Sequence, residues 1–265
     1  MADTLKTELS STTELETPES GAALTPVTLR ALWSPKEGNT AEQYEDAFAC
    51  STLEGNPARV TVALADGASS AVFAREWAHL LVSAFVVTGF PPRDADAALT
   101  FSALSKEWQG RIEGKATSWW AQERLPDGSA ATLLVVTWDR ENLLWEASVI
   151  GDVCVFLVRN DKLRYAFPLT HSTRFGDRPD LVSTEIGRRA KMPEVIRYVE
   201  RYEAGDRFLL MTDALAQFFL SRFESRERPW NSLPQTAEEL PDWLKPLRDA
   251  GTLKNDDVTL LDLTL

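Results

Sequence analysis

From Val27 onward apolar residues recur in two rhythms, every second residue or every third and fourth, while the first 21 residues follow neither. Residues 27–34 (VTLRALWS), 46–53 (DAFACSTL) and 58–65 (ARVTVALA) are rich in β-branched and aliphatic residues and predict strands. Phe73, Trp77, Leu80, Leu81, Ala84 and Phe85 then fall at helical spacing, closed by Gly89-Phe90-Pro91-Pro92. Ala97, Phe101, Leu104, Trp108 and Ile112 predict a second helix. A β meander follows over 131–138, 143–150, 153–159 and 162–167, with polar turns at 139–142 and Asn160-Asp161. Residues 207–212 predict a strand, and Leu215, Phe218, Phe219 and Phe223 a helix behind it. A helix over 236–250 and a strand over 258–265 complete the pattern.

Helices arriving in pairs between runs of antiparallel strands predict an α+β layering, not a doubly wound parallel sheet. Residues 1–21 are rich in Ser, Thr and carboxylates. A segment of that kind buries too little apolar area to offset its ordering entropy, so a disordered acidic tail over 1–21 and one domain over 22–265 are expected.

Composition narrows the function. Lys plus Arg is 28 and Asp plus Glu 40, a formal charge of −12, which excludes the basic footprint that nucleic acid or an anionic membrane demands. Cys50 and Cys154 form no CxxC pair, so a zinc ribbon and a disulfide scaffold are excluded, and buried thiols in a reducing compartment are expected. His79 and His171 are the two histidines: too few for a three-histidine metal site, and neither stands in an HExxH motif. The N-terminus lacks a basic and then apolar leader, and the longest apolar stretch, 79–90, is too short to span a bilayer, so a cytoplasmic protein is expected.

The informative feature is where the acids fall. Asp66 ends the run Val60–Ala65, Asp213 follows Phe208–Met211, Asp256 opens the last strand, and Glu45-Asp46 opens the second. A carboxylate straight after buried residues lies at a sheet's rim, where it costs desolvation unless paired or bound to a cation. No Lys or Arg adjoins Asp66 or Asp213 in sequence, and oxygen clusters without basic partners suit Mg²⁺ or Mn²⁺. On spacing alone, acids that merely cap turns account for the pattern equally well.

The segments Tyr44-Glu45-Asp46-Ala47-Phe48, Ala65-Asp66-Gly67-Ala68-Ser69, Ala131-Thr132-Leu133, Gly151-Asp152-Val153, Thr170-His171-Ser172, Leu210-Met211-Thr212-Asp213 and Asp256-Asp257-Val258-Thr259-Leu260 stand in that order. Together they resemble the metal-dependent type 2C Ser/Thr protein phosphatases, in their short bacterial form. The resemblance implies a four-layer α-β-β-α sandwich of two antiparallel sheets flanked by helix pairs. It further implies a centre of two Mg²⁺ or Mn²⁺ ions, with Asp66 bridging both, the Gly67 carbonyl on one, and Asp213 and Asp256 on the other. Glu45 and Asp46 would hold metal-bound waters, and Asp152 a third cation. The implied substrate is a phosphorylated protein, and the implied partner a cognate Ser/Thr kinase.

Departures from the pattern bear on parts of this reading. Ala68 stands where eukaryotic members carry a histidine, Ala214 replaces a glycine, and Gln217 occupies the position of another third-metal aspartate. Ala41 sits where eukaryotic relatives place a phosphate-binding arginine, for which Lys36 could substitute. A catalytically inactive module that binds a phosphoprotein or a regulator, and a small phosphoester hydrolase, are therefore the alternatives. His79 is expected on a helix surface and His171 in a loop. Gly110–Ala116 misses the phosphate-loop spacing by one residue, and Arg188-Arg189-Lys191 is read as a solvated loop.

Overall fold

Which residues alternate between the two faces of each strand decides the layering. The computed structural model describes residues 13–15, 27–53, 56–115, 119–176, 178–186 and 188–265. Strands β1 (Thr13–Leu15), β2 (Val27–Ser34), β3 (Ala47–Leu53) and β4 (Asn56–Ala65) lead into helices α1 (Ala74–Thr88), α2 (Asp94–Ile112) and α3 (Trp119–Arg124). The chain continues through β5 (Ala130–Ala131), β6 (Leu133–Asp139), β7 (Leu144–Ile150), β8 (Cys154–Arg159) and β9 (Lys162–Phe167). After β10 (Val182–Ser183), β11 (Ile196–Arg201) and β12 (Arg207–Met211) come α4 (Asp213–Glu224), α5 (Glu239–Asp249) and β13 (Val258–Thr264).

The larger strands form two antiparallel sheets, ordered β1-β2-β13-β12-β8-β9 and β11-β7-β6-β4-β3. In β4, Val60, Val62 and Leu64 face the other sheet, while Ala63 and Ala65 face α1 and α2. In β12, Phe208 and Leu210 face the five-stranded sheet, and Leu209 and Met211 face α4 and α5. A strand apolar on both faces must be covered on both, and period-two alternation then yields helix pair, sheet, sheet, helix pair. The α+β class and the expected sandwich of two antiparallel sheets are observed.

Most expected elements are present with shifted ends. The expected strand 131–138 is two, β5 and β6, interrupted at Thr132 for a reason given below. Helix α5 is shorter than the expected 236–250. Asn160 and Asp161 both take positive φ, 51° and 57°, as a two-residue hairpin turn requires. At the other turn Asp139 accepts the Glu141 and Asn142 N–H groups, and Leu143, at φ 52°, belongs to the turn rather than to β7. Strands β10 and β11 and helix α3 were not foreseen; β11 is a sheet edge, half charged and mostly exposed, that carries no apolar rhythm. The expected tail is interrupted too: Thr13–Leu15 pairs antiparallel with β2, while the rest of 1–26 lies outside the described residues. Among the described residues no helix is long and apolar enough to cross a membrane.

Candidate active site

Strand register carries the acids to one end of the sandwich. In the five-stranded sheet Ala47 pairs with Ala65, so Asp46, just before β3, and Asp66, just after β4, flank the same rung. In the other sheet Met211 pairs with both Cys154 and Leu260. That register brings the residues before β8 and β13, Asp152 and Asp256-Asp257, beside Asp213 at the start of α4. The interruption between β5 and β6 serves this end: the Thr132 N–H donates to the Asp66 carbonyl (2.9 Å), and the Thr132 hydroxyl accepts the Asp66 N–H (3.2 Å). Gly67 is required where it stands, since a Cβ there would meet the Glu45 carbonyl oxygen at 2.7 Å.

The two sheet ends join through hydrogen bonds. Thr259, in β13, donates its hydroxyl to Asp46 Oδ2 at 2.6 Å, and the buried Tyr44 hydroxyl donates in turn to Thr259. Asp257 accepts the Lys36 N–H (2.8 Å) and the Glu45 N–H (2.7 Å), one on each carboxylate oxygen, and so fixes the backbone that presents Glu45. Asp46 Oδ1 is buried with no hydrogen-bond partner among the described residues, a costly state for a carboxylate oxygen.

Burial dominates the electrostatics of the cluster. Asp46 and Asp66 are raised well above the ordinary carboxylate range, first by desolvation and then by neighbouring acids, for Asp66 by Asp46, Asp213, Asp152 and Asp256. Asp152 is pushed up to about 7 by desolvation and by Asp213. Glu45 and Asp213 are also raised by desolvation, each partly countered by a lysine, Lys36 and Lys254 respectively.

Those lysines correct the expectation that no basic group attends the acids. Lys254 Nζ lies 2.8 Å from Asp256 Oδ2 and 3.2 Å from Asp213 Oδ2. Lys36 Nζ lies 3.8 Å from Glu45 Oε2 and 3.2 Å from Ser69 Oγ. Sequence neighbours could not reveal Lys254, which is remote from Asp213 along the chain; its place two residues before Asp256 was the available signal. Asp257 and Thr259 were likewise missed as positioning residues, although both lie in the quoted Asp256–Leu260 segment.

The donor set suits a hard divalent cation: every candidate donor is a carboxylate or carbonyl oxygen, one buried oxygen lacks a partner, and an ammonium already stands between two of the acids. Among the described residues no group of three or more His, Cys, Asp or Glu is disposed to hold a metal ion, and Asp213 and Asp256 converge on Lys254. Gln217 turns from the acids and donates to the Ser172 carbonyl (3.4 Å), within a loop where His171 Nδ1 meets Thr170 Oγ1 at 2.9 Å. His79 is exposed on α1. A cavity of about 610 Å³ lies elsewhere, lined among others by Trp108, Ile112, Leu125 and Glu185; none of the acids above lines it. Arg188 and Arg189 sit 3.8 and 3.9 Å from Glu185 at its side.

Comparison with known proteins follows the same lines. The family model for protein phosphatase 2C matches residues 39–254, taking in Glu45, Asp46, Asp66, Asp152 and Asp213 and ending just before Asp256. No curated protein matches the chain. Among solved structures, the photosystem II phosphatase PBCP is similar at 14% identity with TM-score 0.57, over 90% of this chain and 98% of that one. The catalytic domain of the serine/threonine phosphatase PstP, solved with two manganese ions, is similar at 18% identity with TM-score 0.53, over 90% and 98%. RsbX, solved with magnesium, is similar at 17% identity with TM-score 0.53, over 96% and 99%.

Proposed function

The chain belongs to the protein phosphatase 2C family, and we propose that it hydrolyses phosphoserine and phosphothreonine in proteins with Mg²⁺ or Mn²⁺ as cofactor. The observation that carries this reading is the convergence of Asp46, Asp66, Asp152 and Asp213, each raised by burial, at one end of the sandwich. Acids so arranged are costly to the fold unless a cation repays them. Divalent cations, when bound, would supply the charge that acidifies a water and offsets the negative charge of a phosphoryl group. Asp66, Asp213, Asp256 and the Gly67 carbonyl would hold two of them, and Asp152 a third. Glu45 and Asp46 would orient the surrounding waters, held in place by Asp257 and Thr259. Without cations a chain of formal charge −12 would repel a phosphate ester from this cleft.

The manganese in PstP and the magnesium in RsbX support the choice of metal. A phosphorylated protein is the substrate this reading requires, and a Ser/Thr kinase that writes the same mark is the partner. A second reading, a phosphoprotein-binding module without turnover, draws on Lys254 standing between Asp213 and Asp256.

The two part on one assay, release of phosphate from a phosphothreonine peptide with Mn²⁺, with Mg²⁺ and with EDTA. The expected outcome is turnover with either metal and none with EDTA. Folded protein that is silent under all three conditions would leave the binding module standing.

A further inference from the structure

Lys254 is anchored at its backbone and solvent-exposed along its side chain. Leu253 beside it is buried, Asn255 Oδ1 accepts the Glu37 N–H at 2.7 Å, and Arg248 Nη2 donates to the Asp256 carbonyl at 2.7 Å. The main chain of 253–256 is thereby tied to the sandwich. The Lys254 side chain is nevertheless 53% exposed and reaches Asp213 and Asp256 from the solvent side. Its ammonium is a single charge held between two carboxylates that are only 20% and 24% exposed. Like charges left facing each other there repel unless one carboxyl keeps its proton, and a cation between them removes that conflict in the metal-free protein.

We propose that the Lys254 ammonium is a tethered counter-ion that fills the space between Asp213 and Asp256 when no metal is bound and must swing out before a divalent cation enters. Lys254 therefore sets the metal concentration at which the protein loads, and it keeps the two acids compatible with the fold until then. The stem is long and the tip exposed, so the displacement needs only side-chain rotation. A doubly charged ion outcompetes a singly charged one between two carboxylates, but against an opposing pull that a chain without this lysine would not feel. The inference rests on the assignment of Asp213 and Asp256 as cation ligands under the function proposed above, yet its test does not depend on turnover.

The experiment is a calorimetric titration of metal-free protein with Mn²⁺, alongside thermal unfolding in EDTA, for the wild type, Lys254→Met and Lys254→Gln. Exposed ion pairs of this kind are weak, so removing the charge is expected to tighten Mn²⁺ binding at one site by about 10-fold. The same variants should melt at lower temperature in EDTA and gain more from Mn²⁺ than the wild type does. Equal or weaker Mn²⁺ binding in both variants, with circular dichroism unchanged, would make Lys254 a structural salt-bridge residue only and overturn the proposal. Should Lys254→Met fail to fold without metal, Lys254→Gln, which keeps a hydrogen-bond donor, decides the matter. Tighter binding in a protein that releases no phosphate sustains this inference and sinks the phosphatase reading; unchanged binding in an active enzyme does the reverse. No Mn²⁺ binding in any of the three proteins sinks both.

Discussion

The two ends of the sandwich bury aspartates equally deeply and treat them in opposite ways. Asp206, just before β12, is 1% exposed, as is Asp46 at the other end. Arg159 grips Asp206 with two parallel hydrogen bonds, 2.7 and 2.5 Å, and Glu203 adds its N–H at 2.8 Å. Asp262, 7% exposed like Asp152, lies in a similar fork from Arg207 at 2.9 and 2.8 Å, with Arg30 on the same carboxylate. Asp161 in the neighbouring turn takes hydrogen bonds from Trp230, Asn231 and Arg228, and these hold it below the ordinary carboxylate range. Among the described residues no guanidinium pairs with the carboxylates of Asp46, Asp66 or Asp152 at the other end, where desolvation pushes all three upward. Burial alone therefore does not set apart an acid proposed to act in the function above. What marks it is burial without the rigid planar donor that normally accompanies it.

Breaking each end should give opposite signs. Asp66→Asn is expected to lower metal-dependent turnover by at least about 100-fold, the scale on which disturbing a metal site acts. In EDTA the same variant should melt higher than the wild type, because it removes a charge that burial and four neighbouring acids oppose. Normal turnover in Asp66→Asn would remove this residue from the metal centre. At the other end, Arg159→Met leaves the buried Asp206 carboxylate without its partner and should cost about 3 kcal/mol. In a chain of this size that corresponds to a melting temperature roughly 6–12 °C lower. A variant as stable as the wild type would show that the pair contributes little.

The smaller test is pH. Asp152 is raised from 3.8 to about 7 in the folded protein, and Asp46, Asp66 and Asp213 shift the same way. A raised carboxylate stabilises the fold below its unfolded value and loses that contribution as pH rises through the folded one. Metal-free protein should thus melt at falling temperature between about pH 4 and pH 7 on account of Asp152, and saturating Mg²⁺ should flatten the fall. Asp161 works in the other direction, losing its contribution only as pH drops through the acid range. A melting temperature that rises with pH in EDTA would mean that the acid end is compensated by groups not named here.

The strands that build the sandwich were legible because both of their faces are buried. VALA and FLLM carry uninterrupted apolar runs, and the acids that follow them are conspicuous for that reason. Strand β11 (IRYVER) was not legible, because an edge strand with mostly solvated residues has no pattern to read. Thr132 looked like one more strand residue, and only its two hydrogen bonds to Asp66 explain why the strand breaks there. Asp256 and Asp257 are adjacent and chemically identical in sequence. Pairing with the Lys36 and Glu45 backbone makes the second a positioning residue, while the first turns to Lys254.

Residue order alone determined the α+β class, the apolar runs of the long strands and the carboxylates that follow β4 and β12, since these follow from local periodicity, while the four-layer sandwich was implied by the family resemblance. Which acids meet, which of them receive an arginine, and where a lysine from the far end of the chain comes to rest were decided by strand register. Charge pairing between residues 41, 47 or 55 positions apart has no local signature, and here it separates the acids held by an arginine from the buried acids at the other end of the sandwich.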